Sequence, residues 1–215
     1  TQLGAPEIAG HLLGALMERE FDPAYSYKLP HQKFLGHAFA NTLLYLDHRR
    51  IEFPYPVIPI AINAYGADLI RSMGGHVPED NSPGSPGWLP DPPAPSPKRC
   101  FDLGIAIGEI LEASPWRVVL IGSASFSHGF LTAKNQYFYP DIAADRARHA
   151  ELAAGNYAPW RDLSIETLRD SGQHELLNWY PLAGAMHALG QIPSYCALLE
   201  SHLMNSSKCI AVIPS

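Results

Sequence analysis

Two short apolar runs on either side of a helical pattern constrain the fold of this 215-residue chain most strongly. Residues 55–63 carry β-branched side chains between prolines, which favours a strand near a sheet edge. Residues 103–113 then repeat apolar side chains at helical spacing, and residues 117–123 form the second apolar run. A strand, a crossover helix and a second strand make a βαβ unit, whose strands are parallel and whose crossover is right-handed.

The rest of the chain fits helical layers around such a sheet. Apolar periodicity predicts helices over 141–153, 163–170 and 173–189, and residues 208–214 are typical of a last strand. Prolines and glycines crowd residues 76–97, which predicts a long loop. The expected fold class is therefore α/β, a single domain with a central mixed, largely parallel sheet flanked by helices.

Charge and cysteine content exclude several classes of protein. The net charge is -6 and no basic stripe is present, which argues against nucleic acid and membrane surfaces as partners. Three widely spaced cysteines suit a reducing compartment better than a disulfide framework. No apolar run reaches the length of a membrane span. These features predict a soluble, cytoplasmic protein.

The second apolar run leads directly into GSASFSH, residues 122–128, which ends on a histidine. Ligands of parallel α/β sheets bind beyond the carboxyl ends of the strands, so we expect Asn63 and the segment ending at His128 to open onto one crevice. An imidazole at that place can accept and donate a proton near neutral pH. A turn histidine that caps the next helix is the structural alternative for His128.

The same segment argues against a serine hydrolase. A nucleophile elbow requires glycine where Phe126 stands, and Ser127 directly beside His128 cannot adopt the geometry of a serine with its base.

Two further residues are candidates for chemistry. His37, in GHAFAN, lies between two predicted elements. Glu175 comes at the start of a helix whose following residues are mostly apolar. A carboxylate there gains from the helix dipole, and a buried one needs a cation or a metal, so a helix cap and a metal ligand both remain open for Glu175.

Four stretches of the sequence together resemble a known family. They are GHAF, PVIPIAIN, GSASFSHGF and QHELLNW followed by AGAM, in that order along the chain. The resemblance is to the class III extradiol ring-cleaving dioxygenases, the superfamily of the protocatechuate 4,5-dioxygenase beta subunit. It covers almost all of residues 1–215, which correspond to the C-terminal two thirds of such a catalytic domain.

The resemblance implies a function and a set of site residues. It implies non-haem Fe(II)-dependent cleavage of a catechol-type ring beside its two hydroxyl groups, with O2 as co-substrate. His128 is then the acid–base residue and His37 the second active-site histidine. His37, Ser127 and Asn63 are expected to contact substrate. Glu175 becomes the carboxylate of a site with two histidines and one carboxylate, which leaves positions open for substrate and O2.

The sequence departs from the family pattern at two places, and two other functions stay open. The two histidine ligands are expected upstream of Thr1, and the loop at 76–97 is longer than in the protocatechuate enzymes, so the substrate is expected to be another catechol or an aminophenol. We also expect a homo-oligomer or a small partner subunit. A non-catalytic relative that binds a small aromatic ligand or a protein partner is one alternative. A metal-dependent hydrolase is the other.

Overall fold

A computed structural model of the chain describes residues 3–27, 35–51, 53–64 and 93–214. Helices dominate these ranges, with one small sheet near the C-terminal end. The α-helices are α1 (Pro6–Met17), α2 (His37–Leu46), α3 (Pro97–Glu112), α4 (Ile142–Ala153), α5 (Ala158–Arg161), α6 (Ile165–Asp170) and α7 (Tyr180–Ala188). Three 3₁₀ helices cover Gly129–Leu131, Ala133–Asn135 and His174–Asn178, and the strands are β1 (Tyr195–Leu199) and β2 (Lys208–Val212).

The main core forms where α3 packs against α7. Phe101 of α3 and Tyr180 of α7 are fully buried in it. Glycines allow the two helices to approach closely, because a Cβ at Gly104 would overlap the backbone of Pro181 and a Cβ at Gly184 would overlap the carbonyl oxygen of Phe101. This contact fixes the position of α7, which directly follows the 3₁₀ helix that carries Glu175.

Local sequence signals account for where the helices begin and break. The helix predicted over 103–113 is confirmed, and it begins earlier, at Pro97, because Ser96 Oγ accepts a hydrogen bond from the Arg99 N–H and Pro97 suits the first turn. The helix predicted over 173–189 is divided at Trp179. Pro181 lies in the first turn of α7 rather than inside a continuous helix, since proline lacks the N–H that helix interiors need.

The strand predicted near the C-terminus is confirmed as β2. It pairs antiparallel with β1, in a register that runs from Tyr195 opposite Val212 to Leu199 opposite Lys208. Alternate side chains on one face of this hairpin pack on the main core, namely Cys196, Leu198, Cys209 and Ala211. The hairpin therefore anchors the loop between its strands beside the core.

The two strands of the predicted βαβ unit are not strands in the structure. Residues 55–63 and 117–123 have neither helical nor strand structure, and Val119 of the second run is 83% exposed. An apolar, β-branched run becomes a strand only where a neighbouring strand completes its ladder, and the described residues supply no such neighbour to either run. The described ranges thus contain helices and a two-stranded sheet, and they do not show the predicted central parallel sheet.

Two further predictions concern the Pro-rich loop and the absence of a membrane-spanning segment. Most of the predicted loop at 76–97 lies outside the described residues. Within the part of the chain that is described, no helix combines the length and apolarity needed to cross a membrane.

Candidate active site

The backbone of His128 is held between two loops. Its N–H donates to the carbonyl oxygen of Gly172 at 3.0 Å, and on the other side His128 forms an isolated antiparallel bridge with Ser206. The next N–H, of Gly129, donates to the Asn205 carbonyl oxygen at 2.6 Å. These contacts fix the end of the GSASFSH segment against the loop after α6 and the loop of the β-hairpin.

The turn at Gly172 brings Glu175 to the same place. Gly172 has a φ of 68° and ends α6 in a Schellman motif, in which the Gly172 N–H donates to Arg169 O at 3.0 Å and the Gln173 N–H donates to Leu168 O at 2.8 Å. A Cβ at Gly172 would overlap Thr132 Oγ1 and lie 2.8 Å from His128 O. Glycine is therefore required here both by the left-handed backbone and by the close approach of the His128 segment.

His128 and Glu175 form the centre of the site. Nε2 of His128 lies 3.1 Å from Oε2 of Glu175, and the two side chains are 13% and 24% exposed. The same carboxylate oxygen accepts a hydrogen bond from the Ser125 N–H at 3.3 Å. The contact between the His128 ring and the carboxylate is within ion-pair distance, but among the described residues it is not a well-aligned hydrogen bond, and Nε2 is buried.

An aromatic side chain lies beside His128. The Phe130 ring lies 5.0 Å from the His128 ring, centroid to centroid. Beneath the segment, the fully buried Phe126 meets Trp179 edge to face, and Trp179 Nε1 donates to Ala124 O at 3.1 Å. Buried aromatic side chains thus pack within and behind the segment that ends at His128.

His174, next to Glu175, is a neutral group in this site. Burial, together with the nearby charges of Arg169 and His128, lowers the pKa of His174 to about 4. His174 is 5% exposed. At neutral pH this imidazole therefore adds no positive charge beside Glu175.

The structure places His37 at the first position of α2, where it is exposed. Its helix contacts the start of the GSASFSH segment, since Thr42 Oγ1 donates to Ser123 Oγ at 2.6 Å. The next residue, Ala38, accepts a weaker bond from Ser123 Oγ at 3.5 Å. Among the described residues, no hydrogen bond or ion pair joins His37 to His128 or Glu175, so its role as second active-site histidine stays a prediction.

Ser127 and Asn63 direct their polar groups to protein partners. Ser127 is fully buried, and its Oγ donates to Asp145 Oδ2 at 2.7 Å. Asn63 Nδ2 donates to Pro93 O at 3.2 Å, at the end of the Pro-rich stretch. These contacts assign structural bonds to both side chains, and the predicted contact of either with substrate remains a prediction.

Two charged residues near the site were missed by the sequence analysis. Asp145 of α4 contacts Ser127, and Lys208 of β2 extends its Nζ to Ser206 Oγ at 2.5 Å and Ser125 Oγ at 3.5 Å. Neither has a sequence signal that separates it from an ordinary surface charge, because each reaches the site only through the folding of a distant segment.

The donor groups fit a metal in part. The Glu175 carboxylate is the type of hard oxygen ligand that iron(II) accepts. In the described portion of the chain, however, no group of three His, Cys, Asp or Glu side chains could hold a metal ion. We therefore derive no chemical step through a metal from these residues.

Comparisons with known proteins give two matches of the same kind. A protein of Comamonas testosteroni named 2,3-dihydroxyphenylpropionate/2,3-dihydroxicinnamic acid 1,2-dioxygenase is 32% identical over 124 residues. A protein of the same name from Photorhabdus laumondii subsp. laumondii is 28% identical over 127 residues. The chain is thus similar, over somewhat more than half of its length, to two dioxygenases of the extradiol type. The family resemblance predicted from the four motifs is thereby confirmed.

Both matches cover only part of the two relatives. They cover 58% and 59% of this chain, and the chain spans about 30% of the length of each extradiol relative. No family model matches the chain, and no solved structure matches it significantly.

Proposed function

We propose that the protein opens a catechol-type ring beside its two hydroxyl groups, with Fe(II) as cofactor and O2 as co-substrate. The observation that carries this proposal is the contact of 3.1 Å between His128 Nε2 and Glu175 Oε2. These two residues lie 47 positions apart in the two motifs that resemble the family most specifically, and the fold brings their reactive atoms together. The two related dioxygenases support the same class of reaction.

His128 is proposed to move protons. The His128 side chain is mostly shielded from bulk water, and its Nε2 faces the Glu175 carboxylate. When the imidazole accepts a proton from a catechol hydroxyl, this carboxylate can stabilise the resulting imidazolium. The same nitrogen can return the proton later in the reaction. Transfers of this kind by a positioned imidazole contribute about 10²–10⁴-fold to a rate.

Glu175 is proposed as the ligand that the described residues contribute to iron. When bound, iron(II) would supply a Lewis acid for the substrate and O2, and Glu175 would be one of the residues that hold it. The side chains of His128 and Glu175 are mostly shielded from water, at 13% and 24% exposed, which favours charge stabilisation within the pair.

We further propose that the substrate carries a carboxylate on a side chain. The related enzymes are named for 2,3-dihydroxyphenylpropionate, which has such a group. Lys208 Nζ lies 3.5 Å from Ser125 Oγ, and the Ser125 N–H binds Glu175. Within the described residues Lys208 forms no ion pair, so its ammonium group is available to a carboxylate at the edge of the site.

The test is O2 consumption by protein loaded anaerobically with Fe(II), in the presence of a catechol that carries a propionate side chain. We expect a yellow ring-opened product. His128→Ala should lower turnover about 10²–10⁴-fold while iron content stays unchanged. His48→Ala is the matched control, because His48 is exposed and lies outside the site.

Metal content separates the two roles of Glu175. Glu175→Ala should lose iron, whereas a helix cap would leave iron content equal to that of the wild type. Aromatic binding without O2 consumption would favour the non-catalytic relative, and hydrolysis without O2 would favour the metal-dependent hydrolase.

A further inference from the structure

A buried carboxylate connects the two segments that carry the candidate site. Asp145 lies in the first turn of α4, on the same buried face as Leu152, and its side chain is fully buried. Its Oδ1 accepts hydrogen bonds from the Ser127 N–H and from Gln173 Nε2, both at 2.9 Å. Its Oδ2 accepts from Ser127 Oγ at 2.7 Å. One carboxylate thus holds two segments that are 46 residues apart in the chain.

Burial of the Asp145 carboxylate costs free energy of folding unless other groups compensate its charge. A carboxylate removed from water is strongly destabilising unless it is compensated, and Asp145 forms no ion pair with the described residues. Its compensation comes from three hydrogen bonds and from its position at the N-terminal turn of α4, where the helix dipole favours a negative charge. All three donors belong to the two segments of the site.

The partners of Asp145 sit next to the reactive residues. Ser127 directly precedes His128, and Gln173 lies two residues before Glu175. Gln173 is itself oriented, because Ser171 Oγ donates to its Oε1 at 3.2 Å and so turns its amide nitrogen toward Asp145. Movement of either segment away from Asp145 would break these hydrogen bonds, so Asp145 restrains both segments that carry His128 and Glu175.

We propose that Asp145 is a positioning residue that sets the distance between His128 and Glu175. It touches neither substrate nor the reacting atoms, and it acts through Ser127 and Gln173. For its effect on turnover the proposal rests on the proposed function of the site. Its effect on geometry does not depend on that function.

Two substitutions separate position from charge. Asp145→Ala removes all three acceptors. Asp145→Asn keeps an oxygen for the Ser127 N–H and Gln173, and its amide can donate to Ser127 Oγ, so the contacts are retained without the charge. Glu151→Ala is the matched control, because Glu151 lies on the same helix as Asp145. This substitution removes the hydrogen bonds from Trp160 Nε1 and Arg148, and neither partner belongs to the two site segments.

The first measurement is steady-state turnover of the Fe(II)-loaded protein with a propionate-bearing catechol. We expect Asp145→Ala to lower kcat about 10–100-fold with KM changed less than about threefold, because misplacement of a catalytic group by about 1 Å costs roughly that much. Asp145→Asn should recover most of the loss. Glu151→Ala should lower thermal stability and leave kcat within about twofold of the wild type.

The second measurement needs neither metal nor turnover. In protein with ¹³C-labelled histidine, the His128 ring resonance should shift in Asp145→Ala and return toward its wild-type position in Asp145→Asn, while the exposed His48 stays unchanged. If Asp145→Ala does not fold, Ser127→Ala removes only the Oγ contact and should produce a smaller shift in the same direction.

An unchanged His128 resonance in folded Asp145→Ala or Ser127→Ala would overturn the proposal, as would a change in KM without a change in kcat. If the wild type shows no turnover but the resonance shifts as expected, the proposed function fails and the positioning role stands.

Discussion

Replacing Gly172 by alanine tests the turn that brings the two halves of the site together. The substitution has two separable costs. A left-handed conformation destabilises alanine by about 1–2 kcal/mol relative to glycine, and the lower entropy of the unfolded alanine chain offsets about 0.4–1 kcal/mol of this. In addition, the new Cβ overlaps Thr132 Oγ1 and lies 2.8 Å from His128 O, so one of the packed segments must move.

Gly190 provides a matched control for the first cost. It ends α7 in the same motif, with a φ of 63° and bonds from the Gly190 N–H to His187 O and from the Gln191 N–H to Met186 O. A Cβ at Gly190 meets nothing within 4 Å. Gly190→Ala should therefore destabilise the protein by about 0.5–1 kcal/mol through backbone strain alone.

Gly172→Ala should lose about 2–4 kcal/mol, since overpacking of this kind adds about 1–3 kcal/mol to the strain. The assay is urea unfolding followed by tryptophan fluorescence, in which the midpoint should fall at an unchanged slope. In a chain of this size the loss corresponds to a decrease of about 4–16 °C in Tm. If Gly172→Ala is no less stable than Gly190→Ala, the close contact between Gly172 and the His128 segment is refuted.

Two further predictions concern charged groups. Burial opposes ionisation of Asp102, but hydrogen bonds from Arg161 and Lys98 outweigh it and lower the pKa of Asp102. Ionised Asp102 therefore stabilises the fold at a pH above its ordinary pKa of 3.8, and this stabilisation is lost as the pH falls below that value. Thermal melts below about pH 4 should show the wild type losing stability more steeply than Asp102→Asn. Parallel curves would contradict this. Lys208→Met should weaken binding of a propionate-bearing catechol about fivefold by calorimetry, the worth of about 1 kcal/mol for a partly exposed ion pair, and leave its methyl ester unaffected. Equal losses for acid and ester would argue against Lys208 as the carboxylate partner.

The elements that the sequence predicted well are those with local signals. Helix α3 follows from the apolar periodicity of residues 103–113, although its start at Pro97 was not predicted. Strand β2 alternates between exposed and half-buried residues beside a partner close to it in sequence. The runs at 55–63 and 117–123 have equally strong local signals for strands, yet a strand also requires a ladder partner, which is a property of distant residues.

The candidate site divides in the same way. His128 and Glu175 could be chosen as candidates because each lies in a distinctive motif with a residue type suited to proton transfer or metal binding. Asp145 could not be chosen in this way, since helix Ile142–Ala153 contains other charged residues and nothing in the local sequence marks Asp145 as the buried carboxylate.

The sequence by itself determined which residue types are available for chemistry and which segments form helices, because these depend on residue type and on neighbours within one or two turns. The tertiary structure decided how the groups meet. Gly172 turns the chain in a left-handed conformation, Asp145 holds both segments from a third element, and the contact between α3 and α7 fixes the helix that follows Glu175. The distance of 3.1 Å between Nε2 and Oε2 results from these contacts together, and each of them joins residues that are far apart in the chain.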